Sequence, residues 1–186
     1  MGIRLAVLFG GVILVGCSSG SATPSTGTGG NTAVSGNGSG GSGGTGNSDP
    51  GAALPLVCPL FTQDLAAEIS IEPLKAAGTD QVSGAFRYCF YDGSDGTSRV
   101  AWGALTANAG SVSDYTNGCL HPTFGDPGQL ISGIGTWACF LPATTAGDLQ
   151  SMSAGNGGPY VAVVSGDAAL DALKQAMMAF LAKLPS

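Results

Sequence analysis

Positive charge is scarce in this chain: six Lys and Arg stand against twelve Asp and Glu among 186 residues, for a formal net charge of −6. Lys75, Arg87, Arg99, Lys174 and Lys183 are scattered rather than gathered into a stripe, so the many phosphate contacts that nucleic-acid affinity needs have no source. DNA and RNA are therefore not expected as partners. Histidine is nearly absent too, and any His-based nucleophilic triad must pass through the one imidazole, His121, in Cys119-Leu120-His121-Pro122. A lone His before proline reads as a surface turn residue, so a cell-envelope hydrolase using His121 stands only as an alternative. No C-x-x-C pair occurs, and cysteine separations of 31, 30 and 20 positions from Cys58 onward lack the close-set ligand pairs of structural zinc sites. No metal or cofactor is expected. Long apolar runs are missing as well: the one that ends at Val15 is too short to span a bilayer as a mature helix.

What that N-terminal run does have is a preceding Arg4, a small residue at its end and Cys17 immediately after, in Leu14-Val15-Gly16-Cys17. These are the parts of a secretory signal covering residues 1–16, closed by a lipobox. The segment resembles those of bacterial lipoproteins, in which the cysteine thiol takes a diacylglycerol and the chain is cut just before it. Lipidation of Cys17 is the expectation, with two or more acyl chains because each buried CH₂ contributes only about 0.8 kcal/mol. The protein is then expected to be exported and anchored by lipid to the outer side of a bacterial membrane. Losing residues 1–16 removes Arg4 and leaves five basic against twelve acidic side chains, a net charge near −7. Such a surface is repelled by anionic headgroups, so membrane attachment rests on the anchor.

Residues 17–52 are almost wholly Gly, Ser, Thr and Asn and hold too little apolar surface to bury a core. They are expected to form a flexible tether spanning about 30–35 Å. The motifs Gly36-x-Gly38-x-x-Gly41 and Gly40-Gly41-Ser42-Gly43-Gly44 imitate a dinucleotide fingerprint and a nucleophile elbow, but no strand precedes either. Residues 53–186 are long enough for one ordinary domain. Its four cysteines, Cys58, Cys89, Cys119 and Cys139, are expected to form two disulfides in an oxidising compartment. Of three connectivities, Cys58–Cys89 with Cys119–Cys139 is favoured because its loops do not cross, and each bridge is expected to contribute about 3–4 kcal/mol.

Thr62 reads as the N-cap of a short helix to about Ile69, with Asp64 in its first turn. Pro73 opens a second short turn that Gly78 closes. Glu68 and Glu72 are expected on a solvated helix face, with Glu72 pairing with Lys75, rather than acting as a glycosidase pair. Phe86-Arg87-Tyr88-Cys89-Phe90-Tyr91 and Ser98 to Thr106 read as strands joined through Asp92-Gly93-Ser94-Asp95-Gly96. As a calcium loop that connection fails, because Tyr91, Gly93 and Trp102 fall where oxygen ligands belong. Further strands are expected over Thr136 to Leu141, Asp148 to Ser153 and Tyr160 to Val164. Asp167 then reads as the cap of a long helix whose Leu170, Leu173, Met177, Phe180, Leu181 and Leu184 make a core stripe. Segment 107–135 carries no clear element. The expected fold is α+β: a single small antiparallel sheet of about four to five strands, with a short N-terminal and a long C-terminal helix packed on it.

The lipobox, the polar tether, Val57-Cys58-Pro59-Leu60-Phe61-Thr62, Tyr88-Cys89-Phe90-Tyr91 and Gly133-Ile134-Gly135 together resemble an actinobacterial lipoprotein family of unknown function. The resemblance covers most of residues 56–185 and places Cys58 and Cys89 like that family's two cysteines, one before the first helix and one on the first strand. It implies a small α+β domain outside the membrane, resembling the sensor domains of some bacterial kinases, and carries no catalytic residue. The remaining candidate for a site is aromatic. Phe86, Tyr88, Phe90, Tyr91, Trp102 and Trp137 are many for one small sheet, and alternation puts Phe86, Tyr88 and Phe90 on one strand face and Tyr91 on the other, so at least one aromatic is a candidate to line a groove for lipid, glycan or peptide. The favoured expectation is an extracytoplasmic binding or accessory module. A structural envelope protein that binds another protein is the remaining alternative.

Overall fold

A computed structural model of the chain describes residues 49–185, apart from Ala76, Thr97, Ser98, Phe124 and Ala146. The expected signal 1–16, the lipidation site Cys17, the tether as far as Ser48 and the two imitation motifs lie outside the described residues. Seven strands, β1 (Thr79–Ser83), β2 (Phe86–Asp92), β3 (Arg99–Ala107), β4 (Gln129–Leu130), β5 (Trp137–Leu141), β6 (Gln150–Gly155) and β7 (Tyr160–Gly166), form a single sheet in the order β1-β2-β3-β7-β6-β5-β4. Every neighbouring pair is antiparallel. Helices α1 (Gln63–Glu68), α2 (Val112–Leu120) and α3 (Leu170–Ala182) complete the α+β fold. The sheet thus has seven strands rather than four or five.

One face of the sheet carries the main core. Leu105 of β3, Val164 of β7 and Met152 of β6 are fully buried in one core with Phe61 from the segment before α1, Ile69 at the C-cap of α1, and Leu173, Met177 and Phe180 of α3. The Phe61 and Phe180 rings lie 5.6 Å apart. Phe61 sits so close to β3 that a Cβ at Gly103 would meet its ring at 2.5 Å, which is why glycine interrupts an otherwise apolar strand. The bridge Cys58–Cys89 fastens the segment before α1 to β2.

Four local expectations need correction. Residues 49–52, assigned to the tether, fold: Pro50–Ala53 is a 3₁₀ turn, Gly51 donates its N–H to the Gly84 carbonyl at 2.9 Å, and the Asp49 carboxylate accepts the Gly84 N–H at 3.2 Å. The last helix begins at Leu170 with Ala169 in the cap position, because the Asp167 carboxylate instead accepts the Ile71 N–H at 2.7 Å and ties the end of β7 to the loop after α1. Pro73 to Gly78 is not a helical turn. Leu74 bridges Gly93, Lys75 donates its N–H to the Asp92 carbonyl at 2.9 Å, and the positive φ belongs to Ala77, at 69°. Glu72 makes no ion pair with Lys75; among the described residues the ion pairs are Arg87–Asp80 and Lys174–Asp171. Thr62 does stand at the N-cap of α1, though its hydroxyl makes no capping bond.

Candidate aromatic binding face

The opposite face of the sheet is divided. After β3 the chain crosses this face to reach the far edge at β4, and α2 lies along that crossing, packed on β4 and β5. Beneath it, Tyr115 stacks on Trp137 with centroids 4.5 Å apart and planes 7° from parallel, and Cys119–Cys139 links helix to strand. Gly128 packs against that bridge, where a Cβ would meet both sulfur atoms at 2.7 and 2.8 Å. This half of the face is a small second core of Cys119, Trp137, Cys139 and Val161.

No described helix covers the other half. Side chains at every second position of β2 point outward there, so Phe86, Tyr88 and Phe90 form a row, with centroids 5.8 Å and 5.2 Å apart. Strand register sets their neighbours. On the outer side, the edge strand β1 places Ser83, Gln81 and Thr79 opposite the three rings in turn. On the inner side, β3 places Thr106, Ala104 and Trp102 opposite the same three. Trp102 meets Tyr88 edge-on at 5.8 Å and Phe90 at 6.4 Å. The rings are each more than half buried, while Thr79, Gln81 and Ser83 are exposed. Burial pushes the Tyr88 phenol above its ordinary value, so it stays protonated at neutral pH and keeps a hydroxyl donor among the rings.

One further residue joins the row through a break in the ladder. Tyr91 pairs with Ala101 but Asp92 pairs with Arg99, which leaves Val100 as an extra residue in β3. Strict alternation from Ala101 would send Arg99 to the main core. The bulge turns it to the ring face instead, where its guanidinium carbon stands 4.0 Å above the Phe90 centroid. Arg99 and Asp92 stand opposite each other in register at the end of the row, and no ion pair joins them among the described residues.

The alternation of the aromatic residues was readable from the sequence; the contribution of Arg99 was not, because the extra residue reverses its side and leaves no local mark. The other candidates are dispersed. His121 is exposed at the C-terminal end of α2, and only its backbone N–H is engaged, with the Asn117 carbonyl at 2.8 Å. No constellation for nucleophilic catalysis surrounds it among the described residues. Cys58, Cys89, Cys119 and Cys139 are consumed in the two disulfides of the sequential pairing. No group of His, Cys, Asp and Glu among the described residues could hold a metal ion. A shallow depression lined by Gly135, Asn156, Met178, Leu181 and Ala182 opens on the α3 side, away from the rings, and contains no titratable side chain. No described helix is long and apolar enough to cross a membrane, and two disulfides fit an oxidising compartment. Compared with protein-family models, with curated proteins and with solved structures, the chain finds no match in any of the three.

Proposed function

We propose that this chain is a lipid-anchored extracytoplasmic binding module of a bacterial envelope, and that the ring row of β2 and β3 is its ligand-contacting face. The observation that carries the reading is the asymmetry of one sheet face: α2 and a disulfide seal one half, whereas the other half gathers four large aromatic side chains in contact with one another, with no described helix over them. Clustered aromatic side chains on a sheet face, as opposed to scattered single ones, are a mark of an interaction site. The lipobox at Cys17 and the Gly/Ser-rich stretch after it support presentation from a membrane on a flexible lead, which raises the effective concentration of the domain near envelope partners without demanding tight binding. The resemblance to an actinobacterial lipoprotein family fits the same picture.

The test uses the oxidised full-length chain in detergent, with thermal unfolding followed against a panel of envelope lipids, glycans, muropeptides and divalent metals. A ligand at a hundred times its Kd is expected to add about 2.7 kcal/mol, or several degrees. Tyr88→Ala is expected to abolish that shift. A shift that survives Tyr88→Ala moves the site elsewhere, and no shift with any class refutes a small-ligand module. In parallel, Cys17→Ala is expected to release the protein from the membrane fraction.

A further inference from the structure

We infer that Asn156, in the turn between β6 and β7, is a site of spontaneous covalent modification: its side-chain amide closes onto the backbone nitrogen of Gly157 and reopens as aspartate or isoaspartate. The inference does not rest on the ring row. The step balances with water alone. The Gly157 nitrogen loses its proton and bonds to Asn156 Cγ, the Cγ–Nδ2 bond breaks, and the leaving nitrogen departs as ammonia. Water then opens the five-membered imide, at Cγ to give aspartate or at the main-chain carbonyl to give isoaspartate. Such a closure needs an unshielded nitrogen, a polarised carbonyl and a turn that holds the two together. Gly157 supplies the first: it has no side chain to shield its nitrogen, no group among the described residues accepts its N–H, and both it and Asn156 are exposed. Its φ of 85° is a conformation that glycine adopts freely.

The carbonyl is polarised by the next residue. Asn156 Oδ1 accepts the Gly158 N–H at 3.0 Å, which loops the side chain over the peptide it attacks and places a donor where negative charge develops on Oδ1 as the ring closes. The rest of the turn is clamped from both sides. Asn108 donates its backbone N–H to the Pro159 carbonyl at 2.7 Å and its Nδ2 to the Gly158 carbonyl at 2.8 Å. The Gly155 carbonyl accepts both the Thr136 N–H at 2.8 Å and the Thr136 hydroxyl at 2.9 Å. The reacting groups are therefore held near one another. The chain supplies its own contrast in Asn117-Gly118, the same dipeptide inside α2. There the helix ladder takes the Gly118 N–H, the Asn117 carbonyl accepts the His121 N–H at 2.8 Å, and the neighbouring Cys119 is fixed by its disulfide. Closure at that pair requires the helix to open. At Asn156 either product brings a carboxylate to the depression lined by Gly135, Asn156, Met178, Leu181 and Ala182. Isoaspartate also adds a carbon to the main chain of a turn so tightly packed that a Cβ on Gly135 would collide with the Gly155 carbonyl.

The experiment incubates the oxidised full-length chain in detergent, in warm and mildly alkaline buffer, beside the same chain reduced and unfolded in urea. Samples taken over time are reduced and cut with chymotrypsin, which separates Asn117 from Asn156. Mass spectrometry follows the exchange of NH₂ for OH on each peptide, and an isoaspartate-specific methyltransferase with S-adenosylmethionine scores isoaspartate on each isolated peptide. In the folded chain Asn156 is expected to convert at least about tenfold faster than Asn117, and no slower than it does in urea. In urea the two pairs are expected to convert at similar rates, because the difference between them belongs to the fold. Asn156→Gln, whose longer side chain must close a six-membered ring, is expected to remove methyl acceptance from that peptide and leave the Asn117 peptide unchanged. Equal rates at Asn156 and Asn117 in the folded chain, or an Asn156 that converts in urea and is protected by folding, overturns the inference.

Discussion

Asp80 holds three donors with one carboxylate: the Val57 N–H at 2.8 Å, the Cys58 N–H at 3.3 Å and the Arg87 Nε at 2.6 Å. Arg87 also reaches the Leu54 carbonyl at 3.0 Å, so this pair fastens the segment before α1 to the β1–β2 hairpin that carries the ring row. Both side chains are about four-fifths buried, at 20% and 18% exposure for Asp80 and Arg87, which puts the pair beyond the weak surface ion pairs. Truncation leaves a guanidinium and two amides short of an acceptor rather than merely deleting an attraction. Asp80→Ala is accordingly expected to cost about 2–3 kcal/mol in urea unfolding of the oxidised chain, with Asp80→Asn costing less because an acceptor remains. A loss of under about 0.5 kcal/mol for both would place the pair among ornamental surface contacts. At this scale the sequence was half legible. The arginine stood in an obvious strand, but nothing near Asp80 showed that it would face the amides of residues 57 and 58.

Which elements were readable follows from which of them bury a periodic apolar face. The hairpin β2–β3 and helix α3 do, and both were expected from the sequence close to their observed spans. Strand β1 does not: as an edge strand it exposes Thr79, Gln81, Val82 and Ser83 and takes its register wholly from β2. Strand β4 is two residues long, and α2 is built from poor helix formers, with Thr116, Asn117 and Gly118 in succession. What starts α2 is a capping box. The Ser111 hydroxyl accepts the Asp114 N–H at 3.2 Å, and the Asp114 carboxylate accepts the Ser111 N–H at 2.8 Å and the Ser111 hydroxyl at 2.6 Å. Asp at the third helical position, in place of the commoner Glu or Gln, made that signature easy to pass over. Ser111→Ala is expected to cost about 1 kcal/mol. The same box carries a pH dependence whose sign is fixed. Hydrogen bonds from the Ser111 side chain and then its backbone hold the Asp114 carboxyl below its ordinary 3.8, so the native state favours the ionised form. That contribution is complete above the ordinary carboxylate value and fades as pH falls through the depressed one. The stability gap between wild type and Ser111→Ala, measured by chemical unfolding from pH 6 downward, is therefore expected to stay constant to about pH 4 and to narrow below it. A gap that widens in acid would contradict this geometry.

Across the whole sheet the two disulfides divide the work by face. Cys58–Cys89 closes 31 positions and pins the segment before α1 onto the main-core face of β2; Cys119–Cys139 closes 20 and pins α2 onto the other face at β5. The second core under α2 is small, with Cys119, Trp137, Cys139 and Val161 buried and Tyr115 packed against them, so α2 owes much of its place to the covalent link. The ring row lies at the other end of that face, on β2 and β3, with β7 and β6 between it and the helix. Stability and recognition should therefore come apart when the second bridge is removed. The double variant Cys119→Ser/Cys139→Ser is expected to lose about 3 kcal/mol in guanidinium unfolding, a large share of the roughly 5–15 kcal/mol of an ordinary domain. Amide exchange is expected to rise first across α2 and β4, and only later in the β2–β3 hairpin. Binding at the ring row, under conditions where the variant is folded, is expected to match the wild type. If removing the bridge instead raised exchange evenly across the sheet and weakened binding along with stability, then the two halves of the face would be one cooperative unit, and the sealed half would be a support of the ring row rather than its structural counterweight.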